Sequence, residues 1–205
     1  LSYDAEIYET LSLDDSQITI TDTREIFYWS KNFQNVKNNL GNIKTSSSLR
    51  NKKKIFAGSG KLNNTTSPIY FDENLCSIDS DGSLYCLDIK SDKINFRIKN
   101  NQSNLKKIEI IRGGIAYFDD RIVYADAYGQ IKLLNSISGE AIWSTQLDFP
   151  ILSSPLIYRG YIYVISSDNR IFAIDIVDGS NSWSFQTTAE NKKNLKTSSP
   201  VAYEN

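Results

Sequence analysis

The sequence contains no histidine and no methionine among its 205 residues. Without histidine, the chain cannot build a Ser-His-Asp triad, a Cys-His pair, an imidazole general base or a histidine-ligated metal site. No stretch approaches the roughly 18 consecutive apolar residues that a transmembrane helix needs. Because a translated chain starts with methionine and this sequence starts with Leu1, we expect it to be processed or a fragment, with any signal peptide or lipid anchor outside it.

The sequence also lacks an excess of charge of either sign. Its 23 basic and 24 acidic residues nearly cancel, so no global field attracts nucleic acid or an anionic membrane. We therefore expect no nucleic-acid partner, and membrane contact only through an anchor outside this chain. The local basic run RNKKK (50–54) is either an anion or lipid-headgroup patch or ordinary solvated surface.

Only two cysteines are present, Cys76 and Cys86. If Ile78 pairs with Leu84 across the DSDG turn, the two cysteines face each other within reach of a disulfide. A register slip of one residue would place them on opposite faces of the sheet. The sequence alone therefore leaves open a disulfide or two reduced, half-buried cysteines. They match no metal-binding spacing, and we expect no metal site.

A repeat is the strongest regularity in the chain. Short runs rich in Ile, Val, Tyr and Phe recur four at a time, and each set of four ends in a similar motif. Phe96 precedes Trp143 by 47 residues, and Trp143 precedes Trp183 by 40. A period of about 40–47 residues with four strands per unit is typical of a β-propeller blade. The motifs are LDIKSDKINF (87–96), LNSISGEAIW (134–143) and IDIVDGSNSW (174–183). We predict an all-β fold, a β-propeller of four-stranded antiparallel blades.

The same repeats predict how the chain is divided. Residues 1–45 form a segment before the propeller, and residues 46–205 form a partial propeller. Three blades cannot close a ring, so we expect about three blades and the start of a fourth. The predicted units are residues 66–100, 113–147 and 153–187, with the start of the next at 197–205.

The repeated motif predicts how neighbouring blades pack. Gly139 and Gly179 are expected to make tight turns into the outer strand of their blades. Phe96, Trp143 and Trp183 are then expected to lie flat between neighbouring blades, where each ring contributes to docking. The alternative is that these rings are ordinary core aromatics. An aromatic ring that docks between blades is itself one kind of core aromatic.

The repeats resemble PQQ-like (Trp-docking) repeats, and the order of features is similar to the BamB family in its alphaproteobacterial type. The segment WSKNFQNVKNNLGN (29–42) stands where that family has W-x-Q-x-G-G-N-x-x-H, although Phe33 and Gln34 replace the paired glycines and Asn38 replaces the histidine. The stretches RGGIAYFDDRIVYADAYGQI (112–131) and SWSFQTTAENKKNLKTSSPV (182–201) follow in the family's order. The resemblance covers roughly residues 26–205.

This resemblance implies a non-enzymatic scaffold of outer-membrane β-barrel assembly, located on the periplasmic side of the outer membrane and carrying no cofactor. Its implied partners are the barrel-inserting outer-membrane protein, through that protein's periplasmic domains, and unfolded outer-membrane proteins. The long polar segment TTAENKKNLKT (187–197) matches the family's partner-binding loop. By that resemblance Asn194, Leu195 and Lys196 are the expected partner contacts, with Leu195 as the apolar anchor. The other interpretation of this segment is a plain surface loop.

Two other functions fit such repeats. One is a fragment of a PQQ-dependent quinoprotein dehydrogenase, in which similar repeats enclose a quinone and calcium. The other is a propeller that binds a small ligand. The sequence shows no cluster of catalytic ligands, and Cys76 and Cys86 are not adjacent as they usually are in such enzymes. The stretch SIDSDGSLYCLD (77–88) only loosely matches a calcium-binding loop, and a hairpin turn explains it better.

Overall fold

The computed structural model describes residues 22–32, 34–44, 66–79, 82–99, 113–186 and 198–203. These residues contain twelve β-strands and no helix, and hence no helix that is long and apolar enough to cross a membrane. The strands are β1 (Ile69–Phe71), β2 (Asn74–Ile78), β3 (Leu84–Asp88), β4 (Lys93–Ile98), β5 (Gly113–Phe118), β6 (Arg121–Asp126), β7 (Gln130–Asn135), β8 (Ala141–Gln146), β9 (Leu156–Tyr158), β10 (Tyr161–Ile165), β11 (Arg170–Asp175) and β12 (Asn181–Gln186).

The strands form three four-stranded antiparallel sheets, each in chain order: β1 to β4, β5 to β8 and β9 to β12. We call them the first, second and third sheets. The first strands of neighbouring sheets are in contact, β1 with β5 and β5 with β9. Gly82, Gly129 and Asn169 occupy the same turn in successive sheets, with φ of 82°, 86° and 63°. The arrangement confirms the predicted all-β fold of repeated four-stranded blades.

Two apolar cores lie between the sheets. One joins the first and second sheets, and the other joins the second and third. Because side chains alternate along a strand, Ile122 of β6 packs into the first core while its neighbour Val123 packs into the second. The second sheet therefore buries both faces, which explains why the middle of β6, residues 122–125, is a continuous buried run of Ile, Val, Tyr and Ala.

A β-bulge precedes the repeated aromatic residue in every sheet. The register between the third and fourth strands shifts by one residue at this point, which leaves an extra residue in the outer strand. Such bulges bend a strand and redirect the side chains beside them. The sequence analysis did not predict this feature. The extra residues are Asn95, Ile142 and Ser182, and the aromatics that follow them are Phe96, Trp143 and Trp183.

Residues 198–203 lie against the N-terminal segment and form no strand. Here the amide of Ala202 donates to the carbonyl of Val36 at 3.0 Å. The start of a fourth blade at residues 197–205 stays a prediction. The N-terminal segment itself joins the first sheet, through a two-hydrogen-bond antiparallel bridge between Trp29 and Tyr70.

Candidate functional site

Two contacts between an aromatic ring and a glycine join the sheets. Gly139 lies over the ring of Phe96, and a Cβ added to this glycine would be 2.5 Å from Cδ2 of that ring. Gly179 lies in the same way over Trp143, with 2.7 Å between an added Cβ and Cε3. Both glycines also have positive φ, 74° and 75°, which other residues adopt only at a cost. Each site therefore requires glycine both for its backbone conformation and for its space.

Trp143 is also held by a hydrogen bond. Its Nε1 donates to the carbonyl of Ile176 in the third sheet at 3.0 Å, which satisfies the polar atom of a partly buried ring. The contact spans 33 residues of sequence and fixes the second sheet relative to the third. These contacts are those expected of a ring that docks one blade onto the next.

Trp183 occupies the equivalent position in the third sheet, but its ring is 45% exposed. It contacts Tyr163 in a tilted arrangement with 5.9 Å between ring centroids. The outer strand that carries it, β12, is exposed at all six positions. Docking by Trp183 therefore remains a prediction.

The structure joins Cys76 and Cys86 in a disulfide. The two residues are directly opposite each other in β2 and β3, in the register where Ile78 pairs with Leu84. Both side chains are buried in the core between the first and second sheets. The disulfide therefore links neighbouring strands inside a single sheet.

The predicted partner contacts Asn194, Leu195 and Lys196 lie outside the residues that the structure describes. The structure does describe the residues on either side of the segment that contains them: Gln186, at the end of β12, and residues 198–203. We call residues 187–197 the partner loop. Gln186, which precedes it, lies at the end of the third sheet where β10 turns into β11.

We call the described residues that flank the partner loop its roots: Gln186 is the N-terminal root, and residues 198–203 are the C-terminal root. The N-terminal root is hydrogen bonded to the turn between β10 and β11. Arg170 donates from Nη2 to Oε1 of Gln186 at 3.1 Å and forms an ion pair with Oδ2 of Asp168 at 3.5 Å. Gln186 in turn donates from Nε2 to the carbonyl of Asp168 at 3.4 Å. The guanidinium also lies 5.6 Å from the ring centroid of Phe149. An arginine and an aromatic ring, two residue types common at protein interfaces, thus lie beside this root.

The linker between the second and third sheets runs over the same end of the fold. Its backbone is held along its length: the amide of Leu147 donates to Gly129 at 2.8 Å, and that of Leu152 donates to Ile165 at 2.9 Å. Leu147 and Ile151 are buried in the core between the second and third sheets. This linker therefore belongs to the packed body of the fold and presents few groups to a partner.

A buried polar cluster between the first and second sheets was not predicted. Asp126 accepts from the amides of Tyr128 and Gln130 at Oδ1, both at 2.9 Å. The Tyr124 hydroxyl lies 3.4 Å from Asp126 Oδ2 and donates to the carbonyl of Gly82, in the first sheet, at 2.8 Å. Burial raises the pKa of both Asp126 and Tyr124. The signal in the sequence is an aspartate at the same turn position in IDSDG (78–82) and ADAYG (125–129).

The described aspartates of the stretch at 77–88 hydrogen bond to neighbouring groups of the protein. Asp79 accepts from the amide of Ser83 at 2.8 Å and from the Tyr85 hydroxyl at 3.1 Å. Asp88 accepts from the amides of Lys90 and Ser91. Within the residues that the structure describes, no group of three or more His, Cys, Asp or Glu side chains could hold a metal ion.

The sequence is similar to known proteins of one family. The model of the family described as outer membrane protein assembly factor BamB matches residues 80–205. The outer membrane protein assembly factor BamB of Nitrosomonas eutropha is 24% identical over 120 residues, which is 58% of this chain and 27% of that protein.

The structure is similar to solved propellers. BamB from Moraxella catarrhalis superposes with a TM-score of 0.55 at 20% identity, over 65% of this chain and 38% of that one. A europium-containing methanol dehydrogenase superposes with the same TM-score at 19% identity, over 63% of this chain and 26% of that one. At these identities the likeness shows the fold alone. The chain spans less than half the length of these relatives.

Proposed function

Because the chain belongs to the family of the outer membrane protein assembly factor BamB, we propose that it is a non-enzymatic scaffold of outer-membrane β-barrel assembly that binds the barrel-inserting protein through the partner loop. The contacts proposed within that loop are Asn194, Leu195 and Lys196. Leu195 supplies the apolar anchor, and its two polar neighbours hydrogen bond around it.

The observation that carries this proposal is the anchoring of both roots of the partner loop. Gln186 is tied to Arg170 and Asp168 at one root, and residues 198–203 are hydrogen bonded to the N-terminal segment at the other. A loop whose ends are fixed on a rigid scaffold loses less conformational entropy when it binds. The loop also carries Lys192, Lys193 and Lys196 against one acid, Glu190, so the complementary partner surface is acidic with an apolar pocket.

The disulfide supports the periplasmic location. Disulfides persist in oxidising compartments such as the bacterial periplasm and are rare in the cytosol. The Cys76–Cys86 bond lies in a buried core, where it stabilises the folded sheet. We therefore place the scaffold on the periplasmic side of the outer membrane, where unfolded barrel proteins are its second proposed partner.

The test is co-purification of the tagged protein from membranes, with bound proteins identified by mass spectrometry. Leu195→Asp places an unpaired charge in the proposed apolar contact, and we expect it to reduce recovery of the barrel-inserting protein at least tenfold. Val177→Asp is the matched control, because Val177 is an exposed aliphatic residue in the β11–β12 turn at the opposite end of the third sheet. The control should leave recovery unchanged, and neither variant should lower the melting temperature.

Equal recovery with Leu195→Asp and wild type would remove the partner loop from the interface. A quinone absorbance band in the purified protein, without the barrel-inserting protein, would replace the scaffold proposal with the dehydrogenase alternative. The two outcomes are distinguishable in one preparation, since the absorbance scan uses the same eluate as the mass spectrometry.

A further inference from the structure

A single segment of the chain connects the first sheet, the second sheet and residues 198–203. This segment, residues 29–38, begins with the antiparallel bridge from Trp29 to Tyr70 of β1, with N to O distances of 2.7 and 2.9 Å. The carbonyl of Ser30 then accepts from the amide of Tyr117 in β5 at 2.7 Å. We call the described residues of this segment, 29–32 and 34–38, the strap, because they hydrogen bond to the first strands of two sheets.

The same strap holds residues 198–203 by several hydrogen bonds. Val36 accepts from the amide of Ala202 at 3.0 Å, and Asn38 donates from Nδ2 to the carbonyl of Ser199 at 3.5 Å. Lys37 also lies 5.8 Å above the ring centroid of Tyr203. Residues 198–203 follow the partner loop directly, so the strap holds the C-terminal root of that loop.

Lys31 is the buried centre of this contact. Its side chain is only 2% exposed, and its Nζ donates to Oδ1 of Asn38 at 2.9 Å and to the carbonyl of Pro200 at 3.0 Å. Both acceptors are neutral, and no carboxylate of the described residues forms an ion pair with it. An ammonium group that is removed from water without a counter-ion destabilises the state that buries it.

We propose that the strap positions residues 198–203, and that the charge of Lys31, which no carboxylate of the described residues neutralises, keeps this contact able to open at neutral pH. Opening exposes the ammonium to water, and closing buries it again. The strap thus regulates how firmly residues 198–203 are held, and any effect of this on partner binding rests on the proposed function. The closure itself does not depend on that function.

The pH dependence of closure follows from the charge. Burial lowers the pKa of Lys31 from 10.5 to about 8 in the closed strap. At a pH between these two pKa values, Lys31 is protonated in the open strap and neutral in the closed strap. Closure therefore becomes more favourable as the pH rises through this range, and it is weakest below about pH 8. The other charged group on the strap, Lys37, lies beside Tyr203. The pKa of Lys31 is lowered by burial and not by Lys37 or Tyr203.

Hydrogen exchange of the amides that form the hydrogen bonds of the strap tests this proposal. The reporters are the amides of Trp29, Tyr117 and Ala202, compared with amides of β6, which report the body of the fold. A change of pKa from 10.5 to about 8 predicts that their protection factors increase about tenfold between pH 7 and pH 9 in the wild type. The amides of β6 should not show this increase.

Two variants test the charge of Lys31 in different ways, one by deleting it and the other by placing an opposite charge beside it. Lys31→Met deletes the ammonium, and Asn38→Asp places a carboxylate at the position of its 2.9 Å acceptor. We expect both to raise the protection of the Ala202 amide at pH 7 and to reduce the change between pH 7 and pH 9 to less than twofold. Lys37→Met, which deletes the other lysine of the strap, should keep the wild-type pH dependence.

Three results would overturn the proposal: wild-type protection that does not change with pH, Lys37→Met abolishing the change, or Asn38→Asp lowering the protection of Ala202. Co-purification of the barrel-inserting protein with Lys31→Met is measured separately. If the exchange results are as expected but Leu195→Asp does not affect co-purification, the strap proposal stands and the proposed function fails.

Discussion

Gly179 and Trp143 are in direct contact across the interface between the second and third sheets. A Cβ on Gly179 would lie 2.7 Å from Cε3 of the indole, closer than any relaxed contact allows. The turn of one sheet is thus shaped to receive the ring of the sheet before it. The same relationship joins Gly139 to Phe96.

Replacing this glycine should destabilise the fold through both strain and steric overlap. For Gly179→Ala we expect a loss of about 2–4 kcal/mol in the free energy of unfolding, from the positive φ together with overpacking against the indole. Gly160→Ala is the matched control: Gly160 has a φ of 80°, but no atom lies within 4 Å of its added Cβ. Its loss should be about 1–2 kcal/mol. Equal losses in urea unfolding would show that the ring contact contributes nothing.

Removing the ring tests the same interface from the other side. Trp143→Ala deletes a partly buried indole and its hydrogen bond to Ile176, and we expect a loss of about 2–4 kcal/mol. Trp183→Ala, at the equivalent but exposed position, should cost less than about 1 kcal/mol in the 205-residue chain. Chemical denaturation of both variants provides the comparison. A loss at Trp183 as large as that at Trp143 would mean that the Trp183 ring is covered in solution.

The disulfide should contribute measurably to stability. Cross-linking residues ten positions apart reduces the conformational freedom of the unfolded chain, and we expect reduction of Cys76–Cys86 to cost about 2–3 kcal/mol. The double variant Cys76→Ala, Cys86→Ala should melt at the same temperature with and without dithiothreitol, whereas the wild type should melt lower with it. If alkylation of the unfolded, unreduced protein labels two thiols, the cysteines are not bonded.

The buried carboxyl of Asp126 should make stability depend on pH. Burial raises its pKa in the folded protein, so the unfolded chain gives up this proton at a lower pH than the folded chain does. The contribution of Asp126 is therefore most favourable at acidic pH and is lost as the pH rises through the raised pKa. Asp126→Asn keeps an acceptor for the amides of Tyr128 and Gln130 and should remove this loss, which thermal unfolding between pH 4 and pH 8 would measure.

The matched control for that series is Asp178→Asn. Asp178 is exposed, and hydrogen bonds from Ser180 lower its pKa. The contribution of Asp178 to the stability of the folded protein has the opposite pH dependence. It is present above the ordinary pKa of an aspartate and is lost as the pH falls. A pH profile that is unchanged by Asp126→Asn would assign the pH dependence to other groups.

Much of the fold could be predicted because the relevant information is local. Alternating apolar residues mark each strand, and turn residues such as Gly82 and Gly129 mark the hairpins that set the register. The DSDG turn suggested a pairing of Ile78 with Leu84, which would place Cys76 opposite Cys86, and the structure has this register. Whether the two sulfurs bond could not be decided, because a one-residue slip was equally compatible with the sequence.

The candidate site could be predicted only in part. The motif at 174–183 indicated a glycine turn and an aromatic ring, but not the bulge at Ser182 that redirects Trp183. The predicted contacts at 194–196 remain predictions. The closure of the strap on residues 198–203 could not be foreseen, since Lys31 and Pro200 are 169 residues apart and no pattern in the sequence relates them.

The sequence by itself determined the strands, their order within each sheet and the repeat, because hydrogen bonds between consecutive strands depend on neighbours only a few residues apart. The tertiary structure alone decided which groups meet between sheets. It partly buried Trp143 and left Trp183 exposed, it placed the Tyr124 hydroxyl on Gly82, and it removed the charge of Lys31 from water. These outcomes depend on burial and on long-range packing, which arise only when whole sheets come together.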